Sequence, residues 1–367
     1  DLAAIGHNVQ RLKEIVGPRV KLLAVLKADA YGHGAIRVAR TALLHGATML
    51  GTACLSEAIA LRERGITAPI LILGYTPPWQ AAEIVHYGLT ATVFSLDVAR
   101  HLSRAALLAG GQAAPVPVHV KVDTGMHRLG LAPDEVLPFI RALHDLPGIV
   151  VEGIFTHFAC ADAADQTHVR GQLATFQRVL ATLDAAGLRP PIVHAANSAA
   201  TLTLPESHFD MVRVGIALHG LDPSPEVRCP PDFRPALTFK TQVAQVRELP
   251  AGECVSYCCR YRTPRPSTIA VIPVGYGDGF RRAPQHWGEV LVRGRRVPIV
   301  GAVCMDMTMI DVTDIPCVHP GDEVVLIGRQ GNETITVEDV ARRLGTIGYE
   351  VVTQILARVP REVAPEV

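Results

Sequence analysis

The chain has 367 residues, 49% of them hydrophobic, which is enough apolar material for a large core and for two domains. Its 35 basic residues balance its 35 acidic ones, so neither a nucleic-acid groove nor an anionic-membrane surface is expected. The longest uncharged run, residues 65–82, is broken by Pro69, Pro77 and Pro78, which argues against a membrane-spanning helix.

No signal-peptide pattern opens the sequence. Asp1 falls inside a helical periodicity, so a few residues are expected to be missing upstream. Apolar, β-branched runs then predict strands at 21–27, 48–53, 69–73, 90–94, 116–122, 150–156, 192–195 and 211–215. Helical spacing fills the gaps at 35–45, 56–64, 78–86, 96–109, 133–143, 168–186 and 197–204. Strands without polar alternation are covered on both faces. Such an alternation fits a (β/α)8 barrel of the TIM type. A doubly wound open sheet shares the pattern and stays open at this point.

The texture changes at residues 221–233, where Asp222-Pro223-Ser224-Pro225 and Pro230-Pro231 read as a linker. Beyond it, strand-like runs at 238–246, 268–274, 289–292, 297–303, 309–312 and 323–327 precede one helical segment at 337–344. The expected division is a barrel over residues 1–229 and a mostly-β domain over residues 230–367. Eight scattered cysteines form no C-x-x-C pair, so free thiols in a reducing, cytoplasmic compartment are expected, with no zinc site.

Reactive groups of such barrels sit at the carboxyl ends of strands. The first strand ends at Lys27, followed by Ala28-Asp29-Ala30-Tyr31-Gly32-His33-Gly34. An amine backed by apolar residues can lose its proton and attack a carbonyl, although most lysines simply face water. The fifth strand leads through Lys121 and Asp123 to Arg128, the sixth ends at Thr156-His157, the seventh runs into His194-Ala195-Ala196-Asn197-Ser198, and the eighth carries Arg213-Val214-Gly215-Ile216. Loops after strands 7 and 8 suit a phosphate, with Ser198 offering a hydroxyl and Gly215 close backbone approach. Ser198 could equally be a plain helix cap. A metal hydrolase built on His157, Cys160 and Asp162 lacks a recognisable ligand spacing, and no G-x-S-x-G occurs for a serine hydrolase.

The motifs 24–34, 121–130 and 194–199, together with Val274-Gly275-Tyr276-Gly277-Asp278-Gly279 and Cys304-Met305-Asp306, resemble those of the alanine racemases, fold-type III enzymes that use pyridoxal 5'-phosphate. The resemblance implies interconversion of L- and D-alanine for peptidoglycan by two bases. Lys27 would carry the cofactor covalently and act on one face. Tyr257, from the other subunit of a homodimer with shared active sites, would act on the opposite face. Tyr31, His157, Asn197, Ser198, Gly215, Ile216 and Tyr349 would hold the cofactor, with Arg213 at the pyridine nitrogen and His157 either lending positive charge in a line toward Tyr257 or standing as a buried, hydrogen-bonded histidine. Arg128 and the Met305 N–H would take the substrate carboxylate, supported by Lys121, which some relatives carry carbamylated, and by Asp306. Tyr276 and Tyr349 would narrow the entrance. His219, Cys258-Cys259 and Met307 depart from the family's usual residues. Rival readings are a broader serine-type racemase, a decarboxylase (which Arg213 speaks against) and a non-catalytic cofactor-binding protein.

Overall fold

The computed structural model describes residues 1–110 and 115–364. They form two compact units, one spanning Leu2–Pro235 and the other running from Ala236 onward.

In the first unit, strands β1 (Lys21–Val25), β2 (Met49–Thr52), β3 (Ile70–Ile72), β4 (Thr90–Val93), β5 (Val116–Lys121), β6 (Ile149–Phe155), β7 (Ile192–His194) and β8 (Met211–Val214) pair in parallel in the order β7-β6-β5-β4-β3-β2-β1-β8. The ring closes where Asp210 N–H donates to Val193 O (3.0 Å) and Arg213 N–H to Ala196 O (3.0 Å). This is a (β/α)8 barrel, and the open-sheet alternative falls away. The helices are α1 (Leu2–Val16), α2 (Ala35–Leu44), α3 (Leu55–Glu63), α4 (Ala81–His86), α5 (Leu96–Leu108), α6 (Val136–His144), α7 (Thr167–Ala185) and α8 (Ser198–Thr203). Their apolar faces bury Val9, Val38, Ala58, Leu102, Ile140 and Phe176. Within the barrel, strand residues that would ordinarily be aliphatic include the buried His119, Lys121, His194 and Arg213.

Residues 221–233 are not a loose spacer. Leu221, Val227 and Phe233 are buried, and Asp222 accepts the Cys229 N–H at 2.8 Å. Asn8 of α1 then locks the end of this segment, accepting from Arg234 N–H (2.9 Å) and donating to Arg234 O (2.8 Å).

The second unit is antiparallel. Strands β9 (Phe239–Gln242), β10 (Gln245–Leu249), β11 (Cys254–Val255), β12 (Tyr261–Arg262), β13 (Ser267–Ile272), β14 (Glu289–Val292), β15 (Arg295–Val300), β16 (Thr308–Asp311), β17 (Glu323–Gln330) and β18 (Glu333–Ile335) are followed by helices α9 (Val337–Leu344) and α10 (Gly348–Thr353). The main sheet runs β10-β13-β16-β15-β14-β17-β18, with β9 on β17, and β11 and β12 form a separate ribbon. The single strand expected at 238–246 is two strands. Its backbone changes partner midway: Val243 N–H donates to Asp322 O, whereas Ala244 N–H donates to Val271 O. A reciprocal Thr336–Asp339 capping box starts α9, and Gly345, at φ +67°, ends it.

The expectation that every cysteine is a free thiol is corrected for two of them. Cys254 and Cys259 form a disulfide across the β11–β12 turn, their Cα atoms 4.9 Å apart, within the usual span of such a bridge. The turn tightens enough to bring them together because Ser256, Cys258 and Cys259 all adopt positive φ.

Candidate active site

Strand β1 stops at Val25 because the chain turns immediately afterwards. Ala28, Asp29, Ala30 and Tyr31 all lie in the left-handed region, with φ between 52° and 55°. Such a turn costs about 1–2 kcal/mol for each residue bearing a Cβ. Side chains hold it in place. One Glu57 oxygen accepts Ala28 N–H (2.7 Å) and the other accepts Ala53 N–H (2.8 Å). Asp29 accepts Ala35 N–H at 2.7 Å. Strain held this firmly is characteristic of functional sites. The turn leaves Lys27 open at the barrel mouth with Tyr31 buried below it, Lys27 Nζ standing 5.9 Å from the Tyr31 ring centre. The Lys27 pKa is lowered, chiefly by loss of solvent around the amine and then by the charge of Arg128, while Glu57 opposes the shift. His219 is buried beside the Tyr31 ring, 5.7 Å between centres, and stacks on His33 at 3.9 Å. Neither His219 ring nitrogen has a hydrogen-bond partner among the described residues.

Tyr31 reaches the ends of β7 and β8. Gly215 N–H donates to Ser198 Oγ at 3.0 Å, and a Cβ at Gly215 would lie 2.2 Å from Tyr31 Oη. A side chain there would collide with the Tyr31 hydroxyl, so glycine is what lets Tyr31 come this close to the end of β8. The N-cap of α8 is Asn197, whose Oδ1 accepts Ala200 N–H at 3.0 Å. Ser198 is therefore not the cap, and its hydroxyl belongs to the cradle. Ile216 opens a short 3-10 helix, Ile216–His219, whose first N–H groups have no partner within the helix.

Arg128 is presented by the loop after β5. Asp123 Oδ1 accepts the N–H groups of Gly125, Met126 and His127, each at 3.0 Å. Gly130, at φ +129°, lets the loop return, since a Cβ there would stand 2.7 Å from Asp123 N. Burial acts to raise the Asp123 pKa, but the three amides outweigh it and the net shift is downward. Lys121 is buried at the end of β5, its Nζ 5.3 Å from the Phe155 ring centre, and no carboxylate pairs with it among the described residues. Burial, then the charges of Arg213 and Arg128, bring its pKa down to about 8.

Arg213 is only 4% exposed, and burial lowers its pKa to about 9, which leaves it cationic at neutral pH. Its guanidinium donates to Thr156 O (2.8 Å), Ala195 O (2.8 Å), His157 Nδ1 (3.2 Å) and His194 Nδ1 (3.0 Å). No carboxylate touches it among the described residues. Of the two readings of His157, a source of positive charge or a buried, hydrogen-bonded histidine, its surroundings favour the second. Burial, then Arg213, Arg128, Lys121 and Lys27, hold its pKa well below the ordinary value, so the imidazole is neutral.

The second unit carries its own set. Tyr257 stands in the turn bridged by Cys254 and Cys259 and is 62% exposed, with Arg282 Cζ 6.0 Å from its ring centre. Ser256 Oγ donates to Ala302 O (2.7 Å) and lies 3.8 Å from Cys304 Sγ, which places this turn against the loop bearing Met305. Met305 is exposed, and its N–H makes no hydrogen bond among the described residues. Arg358 ties that loop to the segment of Tyr276, pairing with Asp306 (2.9 Å) and Asp278 (2.7 Å). Tyr349 lies on α10. No group of three or more His, Cys, Asp or Glu residues could hold a metal ion among the described residues.

Motif reading did not find Glu57, the staple of the left-handed turn, nor any role for His119, His194 and Glu152 behind Arg213. None of these has a local sequence signal, because each acts through a contact distant in the chain.

The alanine racemase N-terminal domain family matches residues 1–223 and its C-terminal domain counterpart matches residues 236–363. An alanine racemase of Desulfosudis oleivorans is 50% identical, the match covering 98% of this chain and 94% of that protein. The crystal structure of alanine racemase from Bacillus anthracis with bound L-Ala-P superposes with a TM-score of 0.92 at 41% identity, covering 100% of this chain and 94% of the other. That of Streptomyces lavendulae, a D-cycloserine producer, gives 0.93 at 38% identity, with 100% and 96% coverage. No helix among the described residues is long and apolar enough to cross a membrane.

Proposed function

The chain belongs to the alanine racemase family of pyridoxal 5'-phosphate-dependent isomerases, and we propose that Lys27 and Tyr257 are the two bases with which it interconverts L- and D-alanine. The observation that carries this assignment is the left-handed turn. It sets an amine of lowered pKa at the barrel mouth and, four residues on, a tyrosine in the cradle of Gly215 and Ser198.

The residues fit the cofactor. The Tyr31 hydroxyl stands where a Cβ at Gly215 would lie, the Ser198 hydroxyl accepts the Gly215 N–H, and Ile216 opens a short helix beside them, a set of groups that would suit a phosphate. When bound, the pyridoxal ring supplies a sink for the electron pair left when the substrate Cα–H bond breaks. Arg213 can only donate hydrogen bonds. The guanidinium would therefore require a ring nitrogen placed against it to accept, and would hold that nitrogen unprotonated. Arg213 thus weakens the sink relative to a carboxylate partner, which favours prompt return of the proton over side reactions.

Racemisation requires proton removal on one face and delivery on the other. Lys27, with its lowered pKa, has a larger share of free amine at neutral pH than a surface lysine has. Tyr257 would serve the opposite face from the second subunit of a homodimer, and its exposure on a braced turn supports that role. Arg128 and the Met305 N–H would orient the substrate carboxylate, while Asp306 steadies the Met305 loop through Arg358. Asn197 would act by capping α8 beneath Ser198. Lys121 and the neutral His157 would position Arg128 and Arg213, and Tyr276 and Tyr349 would narrow the entrance. A cytoplasmic location and supply of D-alanine for peptidoglycan complete the reading.

The test is borohydride reduction of the loaded enzyme followed by peptide mapping. The cofactor adduct is expected on Lys27, and fully active material with the adduct elsewhere would overturn the assignment.

A further inference from the structure

Behind Arg213 lies a row of polar groups that the racemisation steps do not use. Arg213 Nη1 is 3.0 Å from His194 Nδ1. His194 Nε2 is 2.8 Å from His119 Nδ1, and His119 Nε2 is 3.0 Å from Glu152 Oε2. Both imidazoles are fully buried, while Glu152 is half-exposed at the far end. The row crosses β8, β7, β5 and β6.

Its construction is specific. A Cβ at Gly153 would lie 2.5 Å from both Cε1 and Nδ1 of His119, so the residue after Glu152 has to be small for the His119 ring to fit. Phe155 stacks on His194 at 4.7 Å with 10° between planes. Burial first, then the charge of Arg213, keeps the His194 pKa well below its ordinary value, and burial also lowers that of His119 against the pull of Glu152.

The two ends dictate the direction of every bond. Guanidinium can only donate, and an ionised carboxylate can only accept. His194 Nδ1 must therefore accept from Arg213, which leaves the proton on Nε2. That proton is donated to His119 Nδ1, and the His119 proton then sits on Nε2 and goes to Glu152. One tautomer of each neutral histidine satisfies all three contacts. Lys21 is the other charge acting on this end, and it lowers the pKa of both Glu152 and His119.

We propose that Glu152 is a positioning residue for the racemase: through His119 and His194 it fixes the hydrogen-bond polarity that aims Arg213, and it supplies the counter-charge that no carboxylate supplies at the guanidinium itself. The effect on turnover rests on the reading of Arg213 given above, whereas the tautomer pattern does not.

The test compares the loaded wild-type enzyme with Glu152→Gln and Glu152→Lys after selective ¹⁵N-histidine labelling. In the wild type, His119 and His194 should both be protonated at Nε2 alone. Glutamine can donate or accept, so the polarity loses one of its two anchors. Turnover should fall about 3- to 30-fold, the range for couplings carried by such networks, with KM for alanine changed less than kcat. Lysine puts a donor at each end, one contact must break, and the loss of turnover and the disturbance of the His119 resonance should both be larger. Wild-type histidines protonated at Nδ1, or tautomers and turnover unmoved in both variants, would overturn the proposal. A fall in turnover with unmoved tautomers would also overturn it. Shifted tautomers with unchanged kcat would uphold the polarity and count instead against Arg213 facing the reacting ring.

Discussion

Gly215→Ala tests the cradle most directly. The new Cβ would sit 2.2 Å from Tyr31 Oη, 2.7 Å from Cζ and 3.0 Å from Cε2. Tyr31 cannot yield by a simple side-chain rotation. Its ring is buried beside His219, and its backbone belongs to the left-handed run stapled by Glu57 and Asp29. Overpacking of this kind costs about 1–3 kcal/mol, or about 5- to 150-fold in cofactor affinity if the cradle is what yields. Tyr31→Phe removes the most crowded atom, which is also the hydroxyl proposed to hold the phosphate. The double variant should therefore lose less than the two single losses added together, with a coupling of about 0.5–3 kcal/mol. Titration of cofactor-free protein with pyridoxal 5'-phosphate, followed by absorbance, measures all four corners of the cycle. Wild-type affinity for Gly215→Ala, or strict additivity in the double variant, would refute the reasoning.

Tyr257→Ala should leave cofactor absorbance intact and suppress solvent deuterium exchange into one alanine enantiomer, by about 10²-fold or more, far beyond the other; equal suppression of both would count against two separate bases. Mixing Lys27→Ala chains with Tyr257→Ala chains should restore part of the activity that each lacks alone, and no recovery in verified heterodimers would exclude shared sites. Lys121 binds fewer protons in the folded chain (pKa about 8) than in the unfolded chain (about 10.4), so stability rises with pH between those values and the full deficit is present below them. In cofactor-free protein without CO₂, Lys121→Met should therefore gain about 3 kcal/mol at pH 7 and lose that gain by about pH 10.4 in urea titrations; with ¹³C-bicarbonate, a carbamate signal should appear in the wild type and be missing in the variant. Reducing the Cys254–Cys259 bridge, or replacing both residues by serine, should loosen the Tyr257 turn and lower kcat by about 2- to 10-fold without altering cofactor affinity; a parallel loss of cofactor would show that the bridge acts elsewhere.

The sequence made the barrel legible because its strands are short apolar runs covered on both faces, and because reactive groups of such barrels gather at strand ends. Lys27, Arg128, Ser198 and Gly215 could be located on that basis. The left-handed turn was not legible, since Ala28 and Ala30 carry no signal for positive φ and the turn is held by Glu57 from helix α3. Nor was the Glu152 row, whose members come from four strands and meet only when the ring closes. The neutrality of His157 depends on burial among four cations, which no motif encodes. The Cys254–Cys259 bridge escaped notice because its closeness comes from three positive-φ residues rather than from a recognised spacing. The split of residues 238–246 likewise follows from neighbours far along the chain.

The one-way hydrogen bonding behind Arg213 also limits how this scaffold could be converted to other chemistries. A glutamate at position 213 would be an acceptor facing His194 Nδ1, so that imidazole would have to turn donor on that side and acceptor on the other. His119 would follow, and its buried Nε2 lone pair would then confront the Glu152 carboxylate, two acceptors meeting at the partly exposed end of the row. Redesign toward a protonated ring nitrogen therefore calls for exchanging both ends of the row together, with a donor installed at position 152 as the acid enters at position 213.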